Sequence, residues 1–472
     1  MDKMQISTET ERKYDVPADF VLPDLPGAAD GATHDLDATY FDTTDLRLAR
    51  HQRTLRRRTG GDDAGWHLKT PGDGSSRTEH RMPLDGEDVP DDLLTEVRAI
   101  VRDTPVRPVA RLRTHRLETP VRDAKGRIRA LIAQDTVTAE TDDGTQTWQE
   151  VEVELTERGD SKLLDEMERL LLAAGASPAE GPSKLARALA ARLAATSPRK
   201  RPKIKPVLAY VREQRDAILE HDPGVRHGDA EAVHKMRVGT RRLRSTLKTF
   251  KRSFPPDAVE FLKAELKWLA GSLGEVRDGQ VLEHKLLAAV RDAGDEFAPV
   301  ADQIRDHLEA KVTAGTAQLA DDLNGERYFR LLDAIDELIA GWDGGESKPL
   351  RRVRKALDKA DRLLDEATLA GADEPLHEAR KSYKQARYAV EVFAPEAGKP
   401  GKQLVKRLTD LQDVLGTHQD SVVAQEILRS VGDGFPHGVL WERQAQIGRD
   451  TLGELPLATR ASRKRELRSW LG

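Results

Sequence analysis

Two periodicities divide this chain. Over about the first 195 residues, charged and apolar side chains alternate at period two in runs of strand length, as in strands with one polar and one apolar face. Glu9, Glu11 and Lys13 take alternate positions of Ser7–Tyr14, Arg56 and Arg58 flank Arg57, and Lys69 ends the run WHLK. Arg77 alternates with Glu79, and Glu152 and Glu154 alternate with Val151, Val153 and Leu155. From Val207 onward Leu and Ala recur at spacings of three and four, which predicts helices nearly throughout. Thr196–Pro206, TSPRKRPKIKP, breaks both patterns with three prolines and five Lys or Arg. The predicted organisation is an α+β multidomain chain: a strand-rich domain at 1–195, a basic Pro-rich linker at 196–206 and an all-α domain at 207–472.

Charge along one face of a single strand is ordinarily a solvated face. Five such strands in one region, with acids at both ends of it and Arg or Lys between, need a joint account. A closed antiparallel β-barrel with a polar interior provides one, because each strand turns one face to a water-filled lumen. Carboxylates there suit a hard divalent cation such as Mg²⁺, and the basic groups suit the phosphate oxygens it bridges. Arg111, Arg113 and Arg116 cannot all reach such a lumen from one regular strand, since odd and even positions face opposite sides. Ser161–Ala174 reads as an amphipathic helix across the barrel, and Lys184 opens a helical run, KLARALAARLAA, where a surface role is equally open. His34, His51, His67, His80 and His115 form no zinc-binding spacing and read as surface or packing residues.

In the helical domain, His234–Phe254 carries eight Lys or Arg in 21 positions and no carboxylate. Arg237, Arg241, Arg244 and Lys248 follow His234 at offsets 3, 7, 10 and 14, an arc of roughly 80° on a helix. Met236, Leu243, Leu247 and Phe250 line a neighbouring arc. His377, Arg380, Lys384 and Arg387 repeat the offsets 0, 3, 7 and 10, Phe393 repeats Phe250, and LGEVRD at Leu273–Asp278 is echoed by LGTHQD at Leu415–Asp420. Duplication explains these coincidences together. It predicts two pseudo-symmetric helical-bundle halves, about 207–341 and 350–472, joined near Trp342–Pro349, with two cationic stripes facing each other across a groove. Such stripes repel one another unless an anion lies between them. Asp278 and Asp420 read equally well as braces for the Arg groups or as helix-end acids. A metal at His234 or His377 is disfavoured by the Arg neighbours. As anion ligands these histidines would gain protons on binding, which predicts tighter binding at pH 6 than at pH 8.

Composition narrows the partner. With 472 residues, 38% hydrophobic and 33% charged, the chain suits a soluble protein of more than one domain. Its net charge of −5 leaves any anion to be met by local patches. Aromatics at 4% are too few for a surface that stacks bases, so no nucleic acid is expected. The absence of cysteine excludes disulfides, thiolate metal sites and a Cys nucleophile. The start MDKMQISTETERKY has no apolar leader core, and no run approaches the roughly 18 apolar residues of a membrane span. A cytoplasmic protein without membrane contact is expected.

ETERK at Glu9–Lys13 matches the Glu-x-Glu-x-Lys signature of the CYTH, or triphosphate tunnel metalloenzyme, superfamily, and YFDT, LRRR, the strand ending in Asp135 and VEVEL follow in that family's order. The resemblance implies an eight-stranded tunnel with flanking helices that binds a triphosphate and Mg²⁺ or Mn²⁺, with water attacking a terminal phosphorus. It implies a catalytic set of Glu9, Glu11, Lys13, Glu152 and Glu154, with Glu9, Glu11, Asp135, Glu152 and Glu154 at the metal. Arg56, Arg58, Lys69, Arg77, Arg113, Arg116 and Lys184 would bind substrate, Arg116 being preferred from the family's Thr-x-Arg pattern. VHKMRVGTRRLRS is similar to the signature of the CHAD, or conserved-histidine α-helical, family. That resemblance implies a grip on inorganic polyphosphate by His234, Arg237, Arg241, Arg244, Lys248, His377, Arg380, Lys384 and Arg387, and an association with polyphosphate granules. The expectation is a metal-dependent hydrolase of inorganic tripolyphosphate tethered to a polyphosphate-binding module. Its rivals are a tunnel enzyme acting on ATP or thiamine triphosphate, a non-catalytic polyphosphate scaffold and, least favoured, a nucleic-acid binder.

Overall fold

The alternating segments close into a ring. In the structure, a computed structural model that describes residues 4–72, 76–195, 205–342 and 344–472, the strands are β1 (Gln5–Asp15), β2 (Ala32–Asp42), β3 (Thr54–Thr59), β4 (Gly65–Pro71), β5 (Ser76–Met82), β6 (Arg107–Arg122), β7 (Ile128–Thr141) and β8 (Gly144–Leu155). Their order is β5-β4-β3-β2-β6-β7-β8-β1, and β1 pairs back onto β5, so eight antiparallel strands form a closed barrel. A two-residue β9 (Ser177–Pro178) adds to the end of β1. Most of the expected linker, 196–204, lies outside the described residues.

Register decides what the barrel encloses, because directly paired residues share a face. Glu9 pairs with Arg77, Lys69 with Glu79, Arg56 with Tyr40, Arg116 with Asp135, Asp135 with Glu150, Lys13 with Glu152 and Glu11 with Glu154. The charged positions of the strands thus share one continuous face, turned inward. The intervening apolar residues face out and are covered by helices. α1 (Arg47–Arg50) and α2 (Asp91–Val101) bury Leu55, Trp66 and Leu68, while α3 (Ser161–Ala173) lays Leu163, Leu164, Met167 and Leu171 on Ile132, Val151 and Val153. Each Leu so buried contributes ~2 kcal/mol. α4 (Lys184–Ala188) and α5 (Ala190–Ala195) close one end of the barrel, where Leu185 and Leu189 pack on Tyr40, Leu112, Val137 and Trp148.

The chain divides into two compact units, Met1–Arg201 and Pro202–Gly472. The second is helical, and its duplication is visible in its lengths. α6 (Pro206–Arg226), α7 (Ala230–Thr249), α8 (Pro256–Ala293) and α9 (Ala298–Asn324) have 21, 20, 38 and 27 residues. After α10 (Glu326–Ala340), α11 (Leu350–Ala370), α12 (Asp373–Glu391), α13 (Ala394–Val431) and α14 (Phe435–Ser462) have 21, 19, 38 and 28, and α15 (Arg465–Arg468) follows. α13 is two helices meeting at Gly398, whose φ of 63° a side chain would strain. α7 and α12 pack together around Phe250 and Phe393, 5.8 Å apart between ring centroids, and Met236, Leu243 and Leu247 are fully buried, as their arc requires. No helix among the described residues is long and apolar enough to cross a membrane.

Candidate functional site

Inside the barrel, two cations and three acids form a tight inner group. Asp135, Glu150 and Glu152 are buried and present ligand oxygens within 4.8 Å of one another. Lys184 Nζ reaches all three, at 2.9, 2.7 and 2.7 Å, and Arg116 grips Asp135 through two bonds of 2.8 and 2.7 Å and Glu152 at 3.1 Å. Burial opposes the charge of Glu152, but Lys13, Lys184 and Arg116 outweigh it and hold its carboxyl well below the usual range. Burial likewise opposes the Lys184 ammonium, and Glu152, Asp135 and Glu150 more than offset it, keeping the lysine charged.

Toward the other end, Glu9, Glu11 and Glu154 form an outer acidic group. Lys69 pairs with Glu9, and Lys13 lies 3.1 Å from Glu11 and pairs with Glu152. Glu154 has neither an ion pair nor a side-chain hydrogen bond among the described residues; burial and the neighbouring Glu9 push its carboxyl up to about 7, against the pull of Lys69. A part-buried acid beside two more acids, without a cation of its own, is a fitting place for one. All donors here are carboxylate oxygens, the hard ligands that Mg²⁺ and Mn²⁺ prefer, so the residues fit such an ion.

The opposite wall is cationic. Arg56 donates to the Tyr40 hydroxyl at 3.3 Å and lies 4.0 Å from Glu79; Arg58 pairs with Asp63. Burial, then Arg56 and Arg116, push Arg58 down to about 9. His67 is fully buried between Glu79, 2.9 Å from Nδ1, and the Asp63 carbonyl, 2.9 Å from Nε2. Burial, helped by Arg56 and opposed by Glu79, pushes its pKa to about 4, so it is neutral and donates to one of these acceptors at a time.

In the helical unit a second cationic cluster forms where α7 meets α12. Arg237 grips Asp278 of α8 through two bonds of 2.7 Å, and Arg241 donates to the Tyr388 hydroxyl at 2.9 Å. The Arg237 and Arg380 guanidinium groups lie against Gly274 and Gly416, the glycines of LGEVRD and LGTHQD, where an added Cβ would stand 3.4 and 3.6 Å away. Lys384 has no carboxylate or hydrogen-bond partner among the described residues. Burial, then Arg241, Arg380 and Arg237, push it down to about 7, with Asp420 the opposing acid. Burial and Arg277 also lower His234. His377 Nδ1 is held by Gln419 at 2.7 Å.

Residues 7–189 match the CYTH domain and residues 209–429 the CHAD domain. The chain is a CYTH–CHAD protein. The uncharacterized protein Rv2226 of Mycobacterium tuberculosis, strain H37Rv, is 38% identical over 500 residues that cover 96% of either chain, and belongs to the same family. Solved structures similar to parts of the chain include the CHAD domain from the plant Ricinus communis, with 26% identity, 56% of this chain and 88% of that one covered, and a TM-score of 0.36. They also include the putative adenylyl cyclase HpAC1 from Hippeastrum, described as having a dominant triphosphatase activity, with 17% identity, coverage of 39% and 96%, and a TM-score of 0.23.

Within this CYTH–CHAD protein, the expected lumen residues Glu9, Glu11, Lys13, Arg56, Arg58, Lys69, Arg77, Arg116, Asp135, Glu152, Glu154 and Lys184 come together inside the barrel. Arg113 does not. It shares the outer face of β6 with Arg111 and pairs with Glu140 at 2.9 Å, because Arg116 fixes the opposite parity as inward. His67, taken as a surface or packing histidine, lines the lumen, two positions from Lys69 and therefore on its face. Glu79, which alternates with Arg77 in the sequence, lines the lumen as well, and so does Glu150, which the same two-residue spacing from Glu152 could have found. In the CHAD domain, His234, Arg237, Arg241, Arg244 and Lys248 lie along α7, and His377, Arg380 and Lys384 along α12. Arg387 is committed elsewhere, to Glu391 at 2.8 Å and Gln412 at 2.9 Å. Asp278 braces Arg237, whereas Asp420 pairs with Lys285. Arg277, aligned with Gln419 in the repeated motif, is a further cation beside His234.

Proposed function

We propose that the CYTH domain hydrolyses inorganic tripolyphosphate with Mg²⁺ or Mn²⁺, and that the CHAD domain binds inorganic polyphosphate. One observation carries the first half. The lumen is sorted into an outer acidic group containing an acid without a cation, Glu154, and a cationic wall where Arg56 and Arg116 oppose the charge of Arg58. A chain of phosphates with a divalent ion satisfies both at once. Glu9, Glu11 and Glu154 would hold the ion, and Asp135, Glu150 and Glu152 could join them only where Lys184 withdraws. When bound, the ion offsets charge on the phosphate oxygens. Arg56, Arg58, Lys69, Arg116 and Lys184 then bind and align the chain, and positioning with fixed charge supplies most of what phosphoryl transfer needs, without a dedicated base.

For the CHAD domain the carrying observation is Lys384, a part-buried cation ringed by Arg237, Arg241 and Arg380. Polyphosphate would relieve that repulsion, and its capture would raise the concentration of condensed phosphate near the tunnel. Such a protein belongs in the cytoplasm, at polyphosphate granules. Phosphate release from tripolyphosphate, ATP and thiamine triphosphate with either metal tests the enzyme, comparing the wild type with Glu9→Ala and Glu11→Ala. Release from tripolyphosphate, lost in both variants, is expected; none from any substrate would leave a non-catalytic scaffold. Duplex DNA that displaced polyphosphate at equal phosphate concentration would overturn the second half, whereas salt sensitivity alone decides nothing, since all polyanions release counterions.

A further inference from the structure

The two halves of the CHAD domain differ where α6 and α11 end. Gly228 and Gly371 follow these helices with φ of 77° and 62°, each six residues before His234 or His377, so positions on the two sides correspond one to one. Along α9 and α14 the correspondence is fixed by Gly315 and Gly448, which pack on Val276 and His418, the fourth residues of LGEVRD and LGTHQD. In the first half Arg226 latches α6 to α9. Its side chain is 7% exposed, grips Asp222 at 2.6 Å and donates to the Leu323 carbonyl at 2.8 Å and the Asn324 amide oxygen at 2.7 Å. In the second half Leu369 and Leu457 take the places of Arg226 and Asn324, and they are 90% and 73% exposed. The acid is kept, with Asp365 in the place of Asp222. Without the latch, α11, α12 and α14 border an open cavity of about 540 Å³, a size typical of small-molecule sites. Leu364, Ala367, Leu376 and Leu455 form its buried wall, and the exposed Asp365 and Asp373 stand at its edge. Each acid commits one oxygen, Asp365 to Arg463 at 2.8 Å and Asp373 to His418 at 2.9 Å, and the other oxygen of each has no partner among the described residues.

We infer that this cavity binds a small organic cation, an ammonium or guanidinium head on an apolar body, with the head on Asp365 and Asp373 and the body on the Leu364, Ala367, Leu376 and Leu455 wall. Arg226 is the template within the chain: a cationic head on an aliphatic stem, held by an aspartate, fills the corresponding place of the first half. The ligand supplies from outside what Leu369 no longer supplies from α11. Charge selects its sign, because Glu374 and Glu454, exposed next to Asp373 and Leu455 in the chain, add to the negative field of the two aspartates and repel an anionic head. The apolar wall selects its body, since a small inorganic cation would leave those side chains facing water. Neither phosphate reading above is needed for this site, which is built from one half of the helical unit alone.

Octylammonium chloride, octanol and sodium octanoate are titrated by calorimetry into the full-length protein without metal or phosphate, below the concentrations at which these amphiphiles aggregate. Octylammonium is expected to bind, octanol at least ~10-fold more weakly, the worth of a hydrogen bond to a charged group, and octanoate not at all. Leu369→Arg combined with Leu457→Asn rebuilds the latch of the first half at two exposed positions and should weaken octylammonium at least ~10-fold, as loss of the same charged contacts requires. Leu452→Trp fills the cavity without changing the charge and should weaken it equally, with circular dichroism confirming the fold; if this variant does not fold, the latch variant decides alone. No octylammonium binding to the wild type, undiminished affinity in either folded variant, or octanol bound as tightly as octylammonium would each overturn the assignment.

Discussion

Lys184 Nζ lies 2.9 Å from Asp135 Oδ2, and both side chains are buried. The lysine comes from a five-residue helix outside the barrel, the aspartate from the middle of β7, so the contact ties the end-closing segment to the lumen wall. Removing the ammonium leaves Asp135 and Glu152 to Arg116 and Lys13, and leaves Glu150 without a cation among the described residues. Lys184→Met is therefore expected to cost roughly 3–5 kcal/mol of stability, the usual result of breaking a buried pair from one side. Chemical denaturation at pH 7 measures it. A loss below ~1 kcal/mol would show that Lys184 is not held as described.

The acid without a cation gives a pH signature. Glu154 titrates at about 7 in the fold against an ordinary 4.5, so the folded state binds its proton more tightly than the unfolded chain does. Its charge therefore costs stability above the ordinary pKa, increasingly until pH passes about 7, and nothing below both values. Metal-free Glu154→Gln is expected to be more stable than the wild type by ~1–3 kcal/mol at pH 8 and equal to it at pH 4. Adding Mg²⁺ should raise the melting temperature of the wild type at pH 8 and not that of the variant. An identical metal shift in both proteins would remove Glu154 from the site.

How much of this was legible beforehand depended on where each side chain came from. Strand parity places Glu9, Glu11, Lys69 and Glu152 in the lumen, since period two is read directly from the residues. The same rule separates Arg113 from Arg116 once either is placed, but nothing in the chain says which parity is inward until β2 and β7 pair with β6. Lys184 was ambiguous for a different reason. It enters from a helix that crosses the end of the barrel, a tertiary placement to which neither periodicity refers. Arg387 kept its place in the repeat while Glu391, one turn onward on the same helix, engaged it.

Lys384 should make polyphosphate binding depend on pH. Burial, Arg241 and Arg380 hold it at about 7, and an anion seated beside it restores its preference for the proton, so binding takes up a proton above pH 7. One such group weakens binding ~10-fold between pH 6 and pH 8. Lys384→Arg, whose charge does not titrate in this range, is expected to flatten the profile at the level of the pH 6 wild type. Any dependence left in that variant belongs to other groups, His234 among them. A profile unchanged by the substitution would remove Lys384 as its source.

The same lysine separates a binding role from a structural one. A charge held by packing alone weakens the fold when removed, whereas one held against its neighbours' repulsion strengthens it. Lys384 titrates at about 7 in the fold against an ordinary 10.5, so its stability penalty is full below pH 7, shrinks as pH rises and is gone above the ordinary value. Lys384→Met keeps the length of the side chain and removes the charge. It is expected to raise stability by ~1–3 kcal/mol at pH 6 and by progressively less toward pH 10. In the same protein, polyphosphate affinity at pH 6 should fall ~10-fold, a loss of about 1.4 kcal/mol, because the groups around the anion then supply one charge fewer. Thermal denaturation without ligand and titration with polyphosphate of fixed length read the two signs. If stability and affinity both fall, Lys384 is a packing residue, and the cluster of Arg237, Arg241 and Arg380 must hold the anion without it.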